Sequence, residues 1–155
     1  MALGPGPLER ATEAAREDET GWSEVADRIK DRVGAVRLPS RPIATFTASG
    51  EPALADGHPV TVASRELQGA IRSLLQAPTH APDGIDLTVE AGRLVRVEVD
   101  VVATYGEPLL PLLETLRAEV ASVVVDHVGP DPSFDLRGDV VVRVVDVVVG
   151  DPSLA

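Results

Sequence analysis

The sequence predicts an α+β domain, a small and mainly antiparallel sheet packed by helices, with the order β-β-α-β in its C-terminal half. Three patterns in the 155 residues predict it. Between Ile85 and Ala103, apolar and polar residues alternate on either side of Gly92, as in two half-buried strands joined by a tight turn. From Leu109 to Val128, apolar residues recur at helical spacing. From Val140 to Val149, every residue except Arg143 and Asp146 is valine.

Composition narrows the rest. Hydrophobic residues make up 44% of the chain, which argues against wholesale disorder, and aromatics only 3%, so the core must be aliphatic. The formal net charge is -11 and Lys30 is the only lysine. Phosphate neutralisation drives nucleic-acid affinity, so nucleic acid is disfavoured as a partner, as is direct adsorption to anionic lipid. The absence of cysteine excludes disulfides, thiolate chemistry and Cys-based zinc sites. The sequence shows no signal-like start and no apolar stretch of membrane-spanning length, so a cytoplasmic protein is expected. The Arg-over-Lys preference, with abundant Ala, Val, Gly and Pro, fits bacterial GC-rich coding.

In chain order, residues 1–19 read as a mobile acidic tail, 20–150 as one α+β domain, and 151–155 as a second tail. Thr20 caps a first helix whose stripe is Trp22, Val25, Ala26, Ile29 and Val33, ended by Gly34. Arg41–Ser49 and Val60–Ala63 read as extended pieces that can pair as a small hairpin across the Gly- and Pro-rich loop 50–59. Ser64 is the expected cap of a second helix, with Leu67, Ala70, Ile71, Leu74 and Leu75 on one face and Pro78 as its stop. Thr79–Asp83 is expected as a loop.

The hairpin that follows has an arguable register. A two-residue loop at Ala91-Gly92 pairs Leu87 with Arg96, mixing the two faces. A three-residue loop, Glu90-Ala91-Gly92, pairs Leu87 with Val95, Ile85 with Val97, and Asp86 with Arg96, and is the expected register. Tyr105-Gly106 ends the second strand. Pro108 opens a long helix with Leu109, Leu113, Leu116, Val120, Val123 and His127 down one face, and Leu112 and Val124 alongside. Gly129-Pro130 closes it.

The last strand is apolar on both faces. Val140, Val142, Val144 and Val148 share one side, and Val141, Val145, Val147 and Val149 the other. Burying a valine is worth roughly 1.5 kcal/mol or more, so a wholly wet face is disfavoured. Either the domain covers both faces or a partner covers one, which makes Val140, Val142, Val144 and Val148 the candidate interaction residues.

Chemistry-bearing motifs are absent. His58, His80 and His127 sit at no metal spacing, and none of the serines lies in a Gly-x-Ser-x-Gly elbow. No phosphate-cradling glycine loop is present. Glu98 and Asp100 project from one strand face and can flank a ligand or a hard cation, but charged strand faces ordinarily serve solubility. Asp126 and His127 are adjacent on a helix and do not face each other. No catalytic residue, metal site or cofactor is expected.

One segment resembles a known family. Val95-Arg96-Val97-Glu98-Val99-Asp100-Val101-Val102-Ala103-Thr104-Tyr105-Gly106-Glu107-Pro108 is similar to the alternating strand ending in Tyr-Gly of the alkaline shock protein family. The helix over Leu109–Val128 and the strand Val140-Val141-Val142-Arg143-Val144-Val145-Asp146-Val147 follow in the family's order. The family's Asn near the start of that strand is missing, with Arg143 near its place, and the stretch from Gly129 to Gly138 is longer. The likeness spans roughly Gly84 to Val149. It implies a non-catalytic scaffold of the bacterial envelope stress response that self-associates or binds an integral membrane anchor. A nucleic-acid-binding module is the alternative, and it needs a basic face built from Arg37, Arg41, Arg65, Arg72, Arg93 and Arg96.

Overall fold

The structure is a computed structural model that describes residues 39–154. The helix expected over Thr20–Gly34 and the acidic tail lie outside the described residues. Strands β1 (Pro42–Ala44), β2 (Leu54–Ala55), β3 (His58–Pro59) and β4 (Thr61–Ala63) lead into helix α1 (Ser64–Leu75). Strands β5 (His80–Glu90) and β6 (Arg93–Thr104), helix α2 (Leu109–Val128), strand β7 (Val140–Val148) and a 3-10 turn (Pro152–Leu154) complete the chain. The predicted α+β class and the order β-β-α-β are both present.

The main sheet has the order β5-β6-β7, antiparallel between β5 and β6 and parallel between β6 and β7. A parallel neighbour requires a crossover, and α2 supplies it. The inner row of β6 is Val97, Val99, Val101 and Ala103, all at 0% exposure. Against it pack Leu67, Ile71 and Leu75 of α1 and Leu112, Leu116, Val120, Val124 and Val128 of α2. The buried row of α2 runs in steps of four and is rotated from the expected face: Leu109 and His127 are exposed, and Leu113 and Val123 flank the core. The helix is apolar almost all round, so spacing alone does not single out the buried stripe.

The hairpin expected from Arg41–Ser49 and Val60–Ala63 is β1 paired with β4, with Ile43 opposite Val62. It is shorter than expected, because the chain turns at Thr47–Gly50 and a second small hairpin, β2–β3, fills the loop. Ser64 does not cap α1. Its hydroxyl accepts the Arg41 N–H at 2.9 Å and its own N–H donates to the Arg41 carbonyl at 2.8 Å, closing the β1–β4 ladder instead.

Two corrections concern β5. Residues 79–83, expected as a loop, are strand from His80 onward, because the long β6 continues the pairing to His80 opposite Ala103. Pro82 is tolerated there because β5 is an edge strand. The hairpin register also differs from the expected one. Glu90 faces Arg93 across a two-residue loop, Ala91 and Gly92, both at positive φ (49° and 76°), as tight hairpins require. Val95 is then an extra residue, a bulge that sets Leu87 opposite Val97, Ile85 opposite Val99 and Asp86 opposite Glu98. The bulge restores the apolar facing that a regular two-residue hairpin would lose.

The expected C-terminal tail is also packed. Pro152 is buried, and the Thr104 hydroxyl donates to the Gly150 carbonyl at 2.8 Å. Gly129, at φ 84°, ends α2 where the Phe46 N–H donates to the Val128 carbonyl at 2.7 Å. A Cβ on Gly129 would run into the Phe46 backbone.

Three substitutions test this packing by denaturant unfolding. Leu116→Ala, at a fully buried site, is expected to cost about 2–5 kcal/mol. Gly129→Ala is expected to destabilise through both strain and clash. Ala91→Gly, which relieves a left-handed alanine, is expected to stabilise by up to about 1 kcal/mol.

Candidate functional site

The two edges of the main sheet are built differently. On β5, the side chains of α1 reach the outward carbonyls: Gln68 Nε2 donates to Ile85 O at 3.0 Å and Arg72 donates to Pro82 O at 3.4 Å. Among the described residues, no strand pairs with the far side of β7. An unpaired strand edge presents a row of backbone donors and acceptors to any incoming chain.

β7 changes face partway along its length. Val97 faces Val140, Val99 faces Val142 and Val101 faces Val144, so these three valines join the inner row. Val145 is bulged, and beyond it Val102 faces Asp146, Ala103 faces Val147 and Thr104 faces Val148. This divides the predicted interaction residues. Val140 and Val142 are core, at 1% and 4% exposure, and Val144 packs against the core. Those three are unavailable to a partner, because α2 covers the face they occupy. Val148 lies half-buried on the outer face. The exposed valines are instead Val145 (49%), Val147 (42%) and Val149 (93%), which alternation reasoning set aside because it assumed an unbroken strand.

The outer face carries charge. Arg143 donates to Asp100 at 2.8 Å and Arg96 to Glu98 at 3.2 Å. The hydrogen bond that Arg143 donates to Asp100, the Asp100 charge and the nearby carboxylates of Glu98 and Asp86 raise the Arg143 pKa above its ordinary value. Glu98 and Asp100, weighed above as ligand or cation flanks, are therefore arginine partners.

The other candidates are dispersed. His58 lies exposed in the β2–β3 hairpin, His80 contacts Thr79, and His127 bonds to the Val123 carbonyl one turn back. No group of three or more metal-capable side chains occurs among the described residues. Of the arginines that a basic face would need, Arg93 and Arg96 are ion-paired and Arg72 is bonded to a carbonyl. Arg37 lies outside the described residues.

The best-satisfied polar cluster is structural. Asp131, 8% exposed, accepts from the Arg93 guanidinium, from the Ser133 N–H and from the Ser133 hydroxyl. Arg93 also lies over the Phe46 ring, 5.0 Å from its centroid. The cluster ties the β5–β6 turn to the loop that feeds β7. A cleft of about 300 Å³ beside it, lined by Ser49, Gly50, Pro130, Asp131 and Phe134, offers no free acid, because the Asp131 carboxylate is already bonded.

Among the described residues, these features define a small α+β domain with one sheet edge bonded by helix side chains and one open edge. Compared with known proteins, the chain matches no family model, no curated protein and no solved structure.

Burial pushes the Asp131 carboxyl up, but the Arg93 and Ser133 hydrogen bonds and the Arg93 charge outweigh it, and the net pKa is lowered. A carboxyl whose folded pKa lies below its unfolded value adds stability that is complete above the unfolded pKa. That stability is lost as pH falls through the folded one. Asp131→Asn is accordingly expected to cost about 1–3 kcal/mol near neutrality. The gap between variant and wild type should close on acidification below the ordinary carboxylate range, as followed by unfolding at a series of pH values.

Proposed function

We propose that this chain is a non-catalytic scaffold that acts through protein contacts made at the β7 edge, either with itself or with a membrane-anchor partner. The observation that carries the reading is the open edge itself: among the described residues no strand pairs with the far side of β7, which exposes Val145 and Val147, with Val149 just beyond it, while the opposite edge of the sheet receives side-chain hydrogen bonds from Gln68 and Arg72. Exposed valines on an unpaired strand are an association surface unless something covers them.

The resemblance to the alkaline shock protein family supports the setting, a bacterial envelope stress response on the cytoplasmic side of the membrane. No helix among the described residues is long and apolar enough to cross a bilayer. In this reading the membrane contact belongs to the partner.

Pull-down from the native envelope fraction tests the proposal, with wild type beside Val145→Lys/Val147→Lys. Both sites are exposed, so the fold should persist, as circular dichroism can verify. Wild type is expected to retain itself or a small integral membrane protein, and the edge variant to lose it. Identical recovery by the two proteins would remove the β7 edge from the function.

A further inference from the structure

The residues Val140–Val149 read Val-Val-Val-Arg-Val-Val-Asp-Val-Val-Val. Reversed, the sequence maps onto itself, except that Arg143 changes place with Asp146. A strand of this sequence, turned about a two-fold axis, therefore meets its own copy with unlike charges opposed and valine facing valine elsewhere. In a regular strand that register is closed. Arg143 and Asp146 are three residues apart and would point to opposite faces, whereas residues opposed in an antiparallel ladder share a face.

The bulge at Val145 removes the obstacle. Arg143 pairs with Asp100 and Asp146 with Val102, so both lie on the outer face. By the same pairing, Val141 and Val148 share the outer face, and Val142 and Val147 the inner one. The three pairs of the reversed register that flank the bulge, Arg143 with Asp146, Val142 with Val147 and Val141 with Val148, are now matched in face.

We propose that β7 is the edge of a homodimer, in which two copies pair β7 with β7 antiparallel about an axis between Val144 and Val145. Arg143 of each copy faces Asp146 of the other. The inference rests on reading β7 as the interaction surface, and it commits to a second copy as the partner. A closed dimer of this kind uses one patch on both subunits, which a charge-inverted palindrome provides. Shifting the register to centre on Arg143 would oppose two guanidiniums, and centring on Asp146 would oppose two carboxylates, both unfavourable.

Local geometry supports the arrangement. In the single chain, Asp146 Oδ1 accepts the Val147 N–H at 2.8 Å, occupying a backbone donor. The carboxylate can turn to the opposing Arg143 and leave that donor to the partner strand. The Arg143 side chain is 54% exposed, and its guanidinium has donors to spare while it keeps Asp100.

Sedimentation velocity and light scattering on the full chain test the register with Arg143→Asp, Asp146→Arg and the two combined. Wild type is expected to dimerise. Each single swap opposes like charges twice per dimer and should raise the dissociation constant by about tenfold or more. The combined swap restores unlike pairs and should recover most of the affinity. Loss of the Arg143–Asp100 pair is common to Arg143→Asp and to the combined variant, so recovery assigns the effect to the interface. If a swap does not fold, Arg143→Gln and Asp146→Asn must each weaken the dimer. A wild type that stays monomeric up to about millimolar concentration overturns the inference, and the pull-down then decides alone whether the edge serves another partner. A dimer indifferent to the single swaps, or not restored by the combined one, overturns the register but leaves self-association standing.

Discussion

The structure depends on the inner row of β6. Val97, Val99, Val101 and Ala103 are wholly buried, and both other strands of the main sheet and both helices are placed against them. A core with so few aromatic side chains has to gain its stability from many small apolar contacts. β-Branched residues on a pleated surface supply these with little rotamer entropy to lose. Four small residues in a row also let α1 and α2 approach one sheet face together. That concentrates burial on the inner side and leaves the outer side to Arg96, Glu98, Asp100 and Arg143.

Each strand of this sheet contains one irregularity, at Asp83, Val95 or Val145. In every case the local sequence would put the wrong residues inside if the strand stayed regular. At Val95 the bulge lets a tight Ala91-Gly92 turn coexist with Leu87 facing Val97. At Val145 it lets Arg143 and Asp146 both stay in water, where a regular strand would turn one of them toward the helices. A buried, unpaired charge costs several kcal/mol, far more than the ladder hydrogen bond that a bulge gives up.

This explains what was legible in the sequence. Alternation around Gly92, helical spacing after Pro108 and the valine run give the strands, the long helix and their order, because those signals depend only on local period. The register of the hairpin was not legible, because a bulge has no residue signature of its own and Val95 looks like any other alternating valine. The start of β5 at His80 was hidden by Pro82, whose missing N–H matters only if the strand is interior. For the last strand, its place in the chain was legible and the facing of its residues was not. Val140–Val149 stands out as too apolar for its place, but Val140, Val142 and Val144 belong to the core, and the exposed valines of the strand are Val145, at the bulge, and Val147 beyond it.

The same bulge settles how an exposed valine-rich edge can be tolerated. A long, flat apolar edge invites any extended chain, and natural sheets interrupt such edges with bulges and charges. β7 has both within four residues: Arg143, the bulged Val145 and Asp146. A foreign regular strand meets a break in the hydrogen-bonding row and two charges of opposite sign three residues apart. In the proposed dimer, a second copy would bring the same break at the same distance from the axis and the same charges in inverted order. The features that disfavour other strands are thus matched there by the edge itself, so the bulge and its two flanking charges would give specificity and protection together.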